Sequence, residues 1–137
     1  MIYEFEVLGK VVGKGRPRVN TYTGNIYTPN TTKDYENLIR EYFLVNNKGF
    51  KKVIEGRVKI SIIAYLKIPK SAKKSDIEGM LNNEISPLKK PDIDNIIKVV
   101  LDALNKFVIN DDIQVSKIEA EKRYGLEEKI YIKIEEY

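Results

Sequence analysis

Two acidic stretches stand apart from the rest of the chain. The first is Pro91-Asp92-Ile93-Asp94-Asn95, with Lys98 one helical turn beyond Asp94; the second is Asn110-Asp111-Asp112. The 137 residues include neither His nor Cys. That excludes disulfides, a thiolate or imidazole zinc site, and any Ser-His or Cys-His nucleophile pair. Acid–base or metal chemistry is left to carboxylates, ammonium groups, phenols and water. Three carboxylates drawn from two segments suit a hard, oxygen-liganded cation, Mg²⁺ or Mn²⁺. Such an ion keeps several waters and is completed by substrate phosphates. A pair of ions roughly 3.5–4 Å apart would activate water and steady the leaving oxygen in phosphodiester hydrolysis. The first stretch offers Asp92 and Asp94, and the second Asp111 or Asp112. Lys98 is placed to neutralise charge developing on the phosphate. A calcium-binding EF-hand is ruled out, because Ile96 stands where a ligand is needed and Ile97 where the glycine belongs.

The charge is unevenly distributed. Residues 1–90 hold 17 Lys and Arg against 9 Asp and Glu, whereas residues 91–137 hold 7 against 11. A basic part joined to a carboxylate-bearing part suits a protein that holds a polyanion beside a metal. Gly13-Lys14-Gly15-Arg16-Pro17-Arg18 sets three cations within five residues, on a loop that glycine lets approach another surface and proline stiffens. Tyr22 and Tyr27 flank it and suit stacking on bases. Lys14, Arg16 and Arg18 are therefore read as phosphate contacts. Residues 70–90 carry Lys73, Lys74, Lys89 and Lys90. They read as a basic flap beside the acidic cluster, or else as a solvated connection.

Several motifs recur in a fixed order: Lys90-Pro91-Asp92-Ile93-Asp94-Asn95, Lys98, Leu101-Asp102-Ala103-Leu104, and Asp111-Asp112-Ile113-Gln114-Val115. Together with Gly13 to Arg18 and Tyr27-Thr28-Pro29, they resemble the signature of RusA-type Holliday junction resolvases, over roughly Lys10 to Tyr124. The resemblance implies a Mg²⁺-dependent endodeoxyribonuclease that resolves four-way DNA junctions in recombination and repair, leaving 5′-phosphate and 3′-hydroxyl ends. It places the family's acidic triad on Asp92, Asp94 and Asp112. Asp111 stays a contender, since the connection before Asp112 is a residue short of the best-known pattern. The resemblance also makes Lys98 important for activity and implies a homodimer. A dimer suits the reaction, because paired nicks need two sites and one domain carries one acidic cluster. Ile63, Tyr65 and Phe107-Val108-Ile109 are the apolar residues offered for its interface. The competing readings are a catalytically inert DNA-binding module and a metal-dependent nuclease with another DNA target.

The length predicts one domain, residues 1–137. The chain has no bilayer-spanning apolar run and opens on no signal-peptide pattern, so a cytoplasmic protein is expected. The elements that must carry the site predict an α+β fold, a mixed and mostly antiparallel sheet with helices packed against it. Residues 2–12 read as a strand, with Ile2, Phe5, Val7 and Val11 inward. A hairpin-like region turns at Thr23-Gly24-Asn25. Asn30-Thr31-Thr32 would cap a helix whose stripe is Tyr35, Leu38, Ile39, Tyr42 and Phe43, with Arg40 solvated and Asn46 to Gly49 as the stop. Arg57 to Ile68 alternates as a central strand, and a short helix starts near Ser75 or Asp76. Asp94 would cap a helix through Asn105, striped by Ile96, Ile97, Val100, Leu101 and Leu104. Residues 113–124 form a strand with a bulge between Val115 and Ile118. Lys129 to Ile134 would pair back on it as a hairpin.

Overall fold

The computed structural model describes residues 1–27 and 29–137. In chain order these give β1 (Ile2–Leu8), β2 (Arg18–Val19), β3 (Ile26–Tyr27), α1 (Asn30–Asn46), β4 (Val58–Lys67), α2 (Lys74–Leu81), α3 (Ile93–Leu104), β5 (Val115–Gly125) and β6 (Lys129–Glu136). Thr28, part of the Tyr27-Thr28-Pro29 motif, lies outside the described residues. A four-stranded sheet runs in the order β1-β6-β4-β5, and β2 pairs with β3 as a separate ribbon. The fold is α+β and its sheet is mixed: β1 with β6 and β6 with β4 are antiparallel, while β4 with β5 is parallel.

β4 is the centre of the sheet because both its faces carry apolar side chains. Val58, Ile60, Ile62, Ala64 and Leu66 are buried at alternate positions, as strand period demands. The expected hairpin of residues 113–134 does not form. β4 lies between β5 and β6, and Leu126 to Glu128 cross its end. The polar β5, with Lys117, Glu119 and Glu121, takes the edge instead, where charged side chains are tolerated. At the crossing, a Cβ on Gly125 would come within 3.2 Å of Tyr65 and of the Glu127 carbonyl, so glycine is needed there. Val58 pairs with Val115 but Lys59 with Lys117, which makes Ser116 the extra, bulged residue where the apolar phase shifts.

α1 and α3 pack against one another and against one face of the sheet, α1 toward β1 and α3 toward β5. Phe43 sits at the heart of this layer, with the rings of Tyr3, Phe5, Phe50 and Phe107 edge-on at 5.0–6.1 Å. In β1, Phe5 and Val7 are buried, but Ile2 is exposed because strand alternation puts it on the opposite face, with Glu4 and Glu6. Phe107-Val108-Ile109 is not an interface: Val108 and Ile109 are fully buried and Phe107 packs on the core. The chain folds back after α3, with Val108 N–H and Ile109 N–H donating to the Leu104 carbonyl, which drives these side chains inward. Ile63 and Tyr65 remain half-buried on the other sheet face, among the ion pairs Lys129–Glu6 (2.6 Å) and Lys59–Glu119 (3.0 Å).

Two further expectations change. α1 begins at Asn30 after Pro29, and Thr32 turns its buried hydroxyl to the loop before it instead of capping the helix. Arg40 is not solvated. Its Nε–H donates to the Ala103 carbonyl (2.9 Å) and its terminal N–H to the Asp102 carbonyl (3.3 Å), which ties α1 to orphan carbonyls at the end of α3. Among the described residues no helix is long and apolar enough to cross a membrane.

Because Phe43 is fully buried among four rings, Phe43→Ala is expected to cost about 3–5 kcal/mol. A lower urea midpoint at unchanged slope is the measurement that checks this.

Candidate active site

Three segments converge at the amino-terminal end of α3, and glycine is what lets them. Lys14 N–H donates to the Asn95 carbonyl at 2.8 Å. A Cβ on Gly13 would stand 2.9 Å from Pro91 Cβ and 3.0 Å from Asn95 Cβ. On Gly15 it would meet Thr32 Oγ1 at 3.0 Å, the same hydroxyl that accepts Gly15 N–H. The loop therefore lies flat in the angle between the starts of α1 and α3. The result is a cleft of about 590 Å³ lined by Lys14, Arg16, Lys90, Asp92 and Asn95, with Gly13 and Pro91 at its floor. Cations and a carboxylate thus face one space.

Asp94 is not the helix cap that its spacing suggested. Asp92 holds that place in an extended conformation, and its carbonyl accepts Ile96 N–H at 3.1 Å, so α3 starts two residues earlier. Asp94 falls in the first turn, where its carboxylate accepts Asn95 N–H at 3.0 Å and complements the helix dipole. Both aspartates are exposed.

Behind the cleft lies a charge network that joins the basic loop to both helices. Lys14 Nζ reaches Asp102 Oδ2 at 2.9 Å and Glu36 Oε2 at 3.4 Å, and Lys98 Nζ reaches Asp102 Oδ1 at 3.3 Å. Lys14 is only 19% exposed, so this member of the basic loop is turned inward between two carboxylates and not held out to solvent. Burial pulls its pKa down, but the hydrogen bond and charge of Asp102, followed by those of Glu36, outweigh that and hold it above 10.5. Lys98 is 58% exposed, and its Nζ, the tip of the side chain, is the atom held by Asp102. Arg16 and Arg18 point outward, as do Lys73, Lys74, Lys89 and Lys90. Lys122 donates to the Lys89 carbonyl and ties the segment before Asp92 to β5.

The second acidic stretch divides its labour. The Asp111 carboxylate accepts Ile113 N–H (3.0 Å), while Asp111 N–H donates to Gln114 Oε1 (2.8 Å), a reciprocal capping box on the short 3₁₀ turn Asp112–Gln114. Gln114 in turn donates to the Ile54 and Gly56 carbonyls at 2.8 and 2.7 Å. The backbone bond from Ile113, then the neighbouring Asp112, hold the Asp111 carboxyl below the usual range. Asp111 thus builds the turn. Asp112 is anchored through its backbone, its N–H donating to Asn105 Oδ1 at 3.1 Å.

That anchor separates the aspartates. Asn105 follows the last residue of α3, whereas Asp92 and Asp94 stand at its start. The rise from Asp94 to Asn105 is about 16 Å at 1.5 Å per residue. Among the described residues, no three Asp or Glu side chains come together closely enough to hold a metal ion. Asp92, Asp94 and Asp112 of one chain therefore do not fit a single Mg²⁺, whose ligands lie roughly 2.0–2.1 Å away.

Glu36 escaped the sequence reading, which held Asp102 only as part of a motif and Thr32 only as a helix cap. Glu36 offered a local sign, since it follows Tyr35 on the buried side of α1, where a carboxylate needs a cation. Nothing local names Lys14 as that cation.

Comparison with known proteins agrees with the motif order. A family model described as Endodeoxyribonuclease RusA matches residues 9–135. The chain is also similar to "Uncharacterized protein YqaN" of Bacillus subtilis (strain 168), with 30% identity over 137 residues, 97% of this chain and 95% of the relative.

Replacing Lys14 by Met leaves Glu36 and Asp102 without their shared cation, at an expected cost of about 2 kcal/mol near neutral pH. The wild-type pKa is raised on folding, so this stabilisation is complete below 10.5 and lost as pH climbs through the folded-state value. Urea midpoints of wild type and Lys14→Met should differ at pH 7 and converge above pH 10.5.

Proposed function

Since the chain belongs to the RusA family of endodeoxyribonucleases, we propose that it cuts four-way DNA junctions by Mg²⁺-dependent phosphodiester hydrolysis, as a homodimer making paired, symmetric nicks. The observation that supports this best is the cleft at the start of α3, where exposed Asp92 opens beside Arg16 and Lys90, with exposed Asp94 one residue into the helix. Cations there hold a phosphodiester that the carboxylates alone would repel. We assign Asp92, Asp94 and Asp112 to the metal within the homodimer, since the three of one chain stand too far apart for one ion; bound there, it would polarise the phosphodiester and the attacking water. Asp112 is preferred to Asp111 because the Asp111 carboxylate already caps its turn. Lys98, whose half-exposed ammonium is oriented by Asp102 one turn from Asp94, offsets negative charge on the phosphate. Arg16 and Arg18 contact backbone phosphates, while Lys73, Lys74, Lys89 and Lys90 extend the basic surface. Lys14 is a positioning residue that holds the loop to α1 and α3.

The deciding assay incubates the protein with labelled four-way junction, duplex and single strand, with and without Mg²⁺. Cleavage restricted to the junction and dependent on Mg²⁺ is expected. Binding without cleavage would leave the inert DNA-binding reading standing, and equal cutting of duplex would point to another DNA target. Asp92→Asn, Asp94→Asn and Asp112→Asn are each expected to abolish cleavage with binding intact or tighter, because the amide keeps the shape and removes charge. Lys98→Ala should slow cleavage more than it weakens binding.

Holding is separable from cutting. Each lost phosphate contact lowers the slope of log affinity against log salt by roughly 0.9 on duplex-like DNA, so Arg16→Ala with Arg18→Ala should lower it by about 1.8. An unchanged slope in binding titrations would remove both arginines from the interface.

A further inference from the structure

Resting on the nuclease reading above, we infer that Leu88 is an apolar wedge: it enters the base stack close to the scissile phosphate and favours branched over continuous DNA. The segment that carries it is folded back and pinned. α2 ends at Leu81, and Asn83 takes a left-handed conformation (φ 63°) that reverses the chain. Glu84 N–H and Ile85 N–H then both donate to the Gly79 carbonyl, at 2.8 and 3.1 Å. The absence of a side chain at Gly79 makes room for Ile85, whose Cδ1 would stand 3.0 Å from a Cβ there. Pro87, next in this return path, is buried. Leu88 breaks the pattern. It is 94% exposed, more than any other aliphatic side chain among the described residues.

Exposed leucines scattered singly are ordinary. This one is held out by its neighbours on both sides. Before it, Pro87 is packed inside. After it, the Lys89 carbonyl accepts Lys122 Nζ at 2.5 Å, and Lys89 Nζ lies over the Tyr124 ring, 6.0 Å from its centroid. Lys122 and Tyr124 belong to β5, so the sheet fixes the place from which Leu88 projects. The chain then runs directly into the cleft, which Lys90 and Asp92 line. Leu88 precedes Asp92 by four residues, and an extended chain spans at most about 3.6 Å per residue, so the two lie within about 14 Å. At about 3.4 Å per nucleotide along one strand, that distance is about four base steps. DNA whose phosphates rest on Lys89 and Lys90 therefore meets Leu88 near the cut. An aliphatic side chain gains nothing from a phosphate; it gains by entering a base stack, as apolar wedges do when they kink a duplex. In continuous duplex that entry carries the full cost of unstacking. At a branch point two strands already leave the helix they came from, so the same entry costs less. Burial of the leucine then outweighs the cost at the branch and not in duplex, which selects the branched substrate without a base-specific hydrogen bond.

The test uses 2-aminopurine, whose fluorescence rises when it is unstacked. It is placed singly at positions within about four base steps of the branch point of a synthetic junction, and at matching positions of a duplex. Mg²⁺ is left out so that nothing is cut. Wild type is expected to raise the signal severalfold at a junction position and to leave the duplex signal flat. Leu88→Ser should abolish the rise and lower the ratio of junction to duplex affinity about tenfold, the scale on which burial of one leucine acts. Leu88→Phe, which keeps an apolar wedge, should keep both. The salt slope of junction binding should be equal in Leu88→Ser and wild type, because no phosphate contact is lost. A Leu88→Ser protein that retains the fluorescence rise and the affinity ratio overturns the wedge. So does a Leu88→Ser protein whose mass in sedimentation without DNA falls below that of wild type, since Leu88 would then be a contact between copies. Failure of the nuclease reading looks different: a wild type that binds junctions but cuts none with Mg²⁺ sinks that reading, and the fluorescence still decides the wedge.

Discussion

The ammonium of Lys14, lodged between Asp102 of α3 and Glu36 of α1, is the contact on which the arrangement of the site depends. The loop that carries it joins neither helix in sequence. It is held by this ion pair and by two backbone bonds, Lys14 N–H to Asn95 and Gly15 N–H to Thr32. Gly13 and Gly15 make the approach possible, since side chains there would meet Pro91, Asn95 and Thr32 at about 3 Å. A partly buried charge pair is weak evidence for stability, because desolvation offsets much of its attraction. Its value here is geometric, as it ties the loop to α1 through Glu36 and to the last turn of α3 through Asp102, behind the cleft that opens beside Asp92.

The same carboxylate also organises the reactive face. Asp102 divides its two oxygens, one to Lys14 on the inside and one to Lys98 on the outside. The inner cation locks the carboxylate, and the locked carboxylate orients the ammonium of Lys98, a side chain that stays more than half exposed. Arg40 reinforces this from below by binding the Asp102 and Ala103 carbonyls. α3 is therefore restrained along its whole length. Its stiffness is what keeps Asp94 and Asp112 apart within one chain.

Much of this was legible in the sequence, wherever the cause was local. The period-two run of β4, the helical stripe of α1 and the bulge at Ser116 follow from side-chain alternation, which short-range geometry imposes. The order of the acidic motifs carried the family, because many spaced residues rarely agree by chance. The hairpin expected of β5 and β6 failed because pairing depends on which strand best fills the centre, a competition among all strands that adjacency cannot resolve. The buried Phe107-Val108-Ile109 segment was misread for a like reason: an apolar run does not say whether it meets its own core or a partner.

The sequence by itself determined the chemistry open to this protein. Without His or Cys it has no imidazole or thiolate chemistry, and its paired aspartates and basic loop are of the types that suit hard cations and phosphates. Only the tertiary structure decided which charges are free and which are committed. Lys14 and Arg16 look alike in the loop, yet one is sandwiched by carboxylates from two helices and the other is exposed. Asp111 and Asp112 are adjacent, yet one carboxylate caps a turn. The distance from Asp94 to Asp112 was likewise invisible, because it is set by a straight helix and a single Asn105 hydrogen bond, and motif spacing counts residues without measuring the space they span.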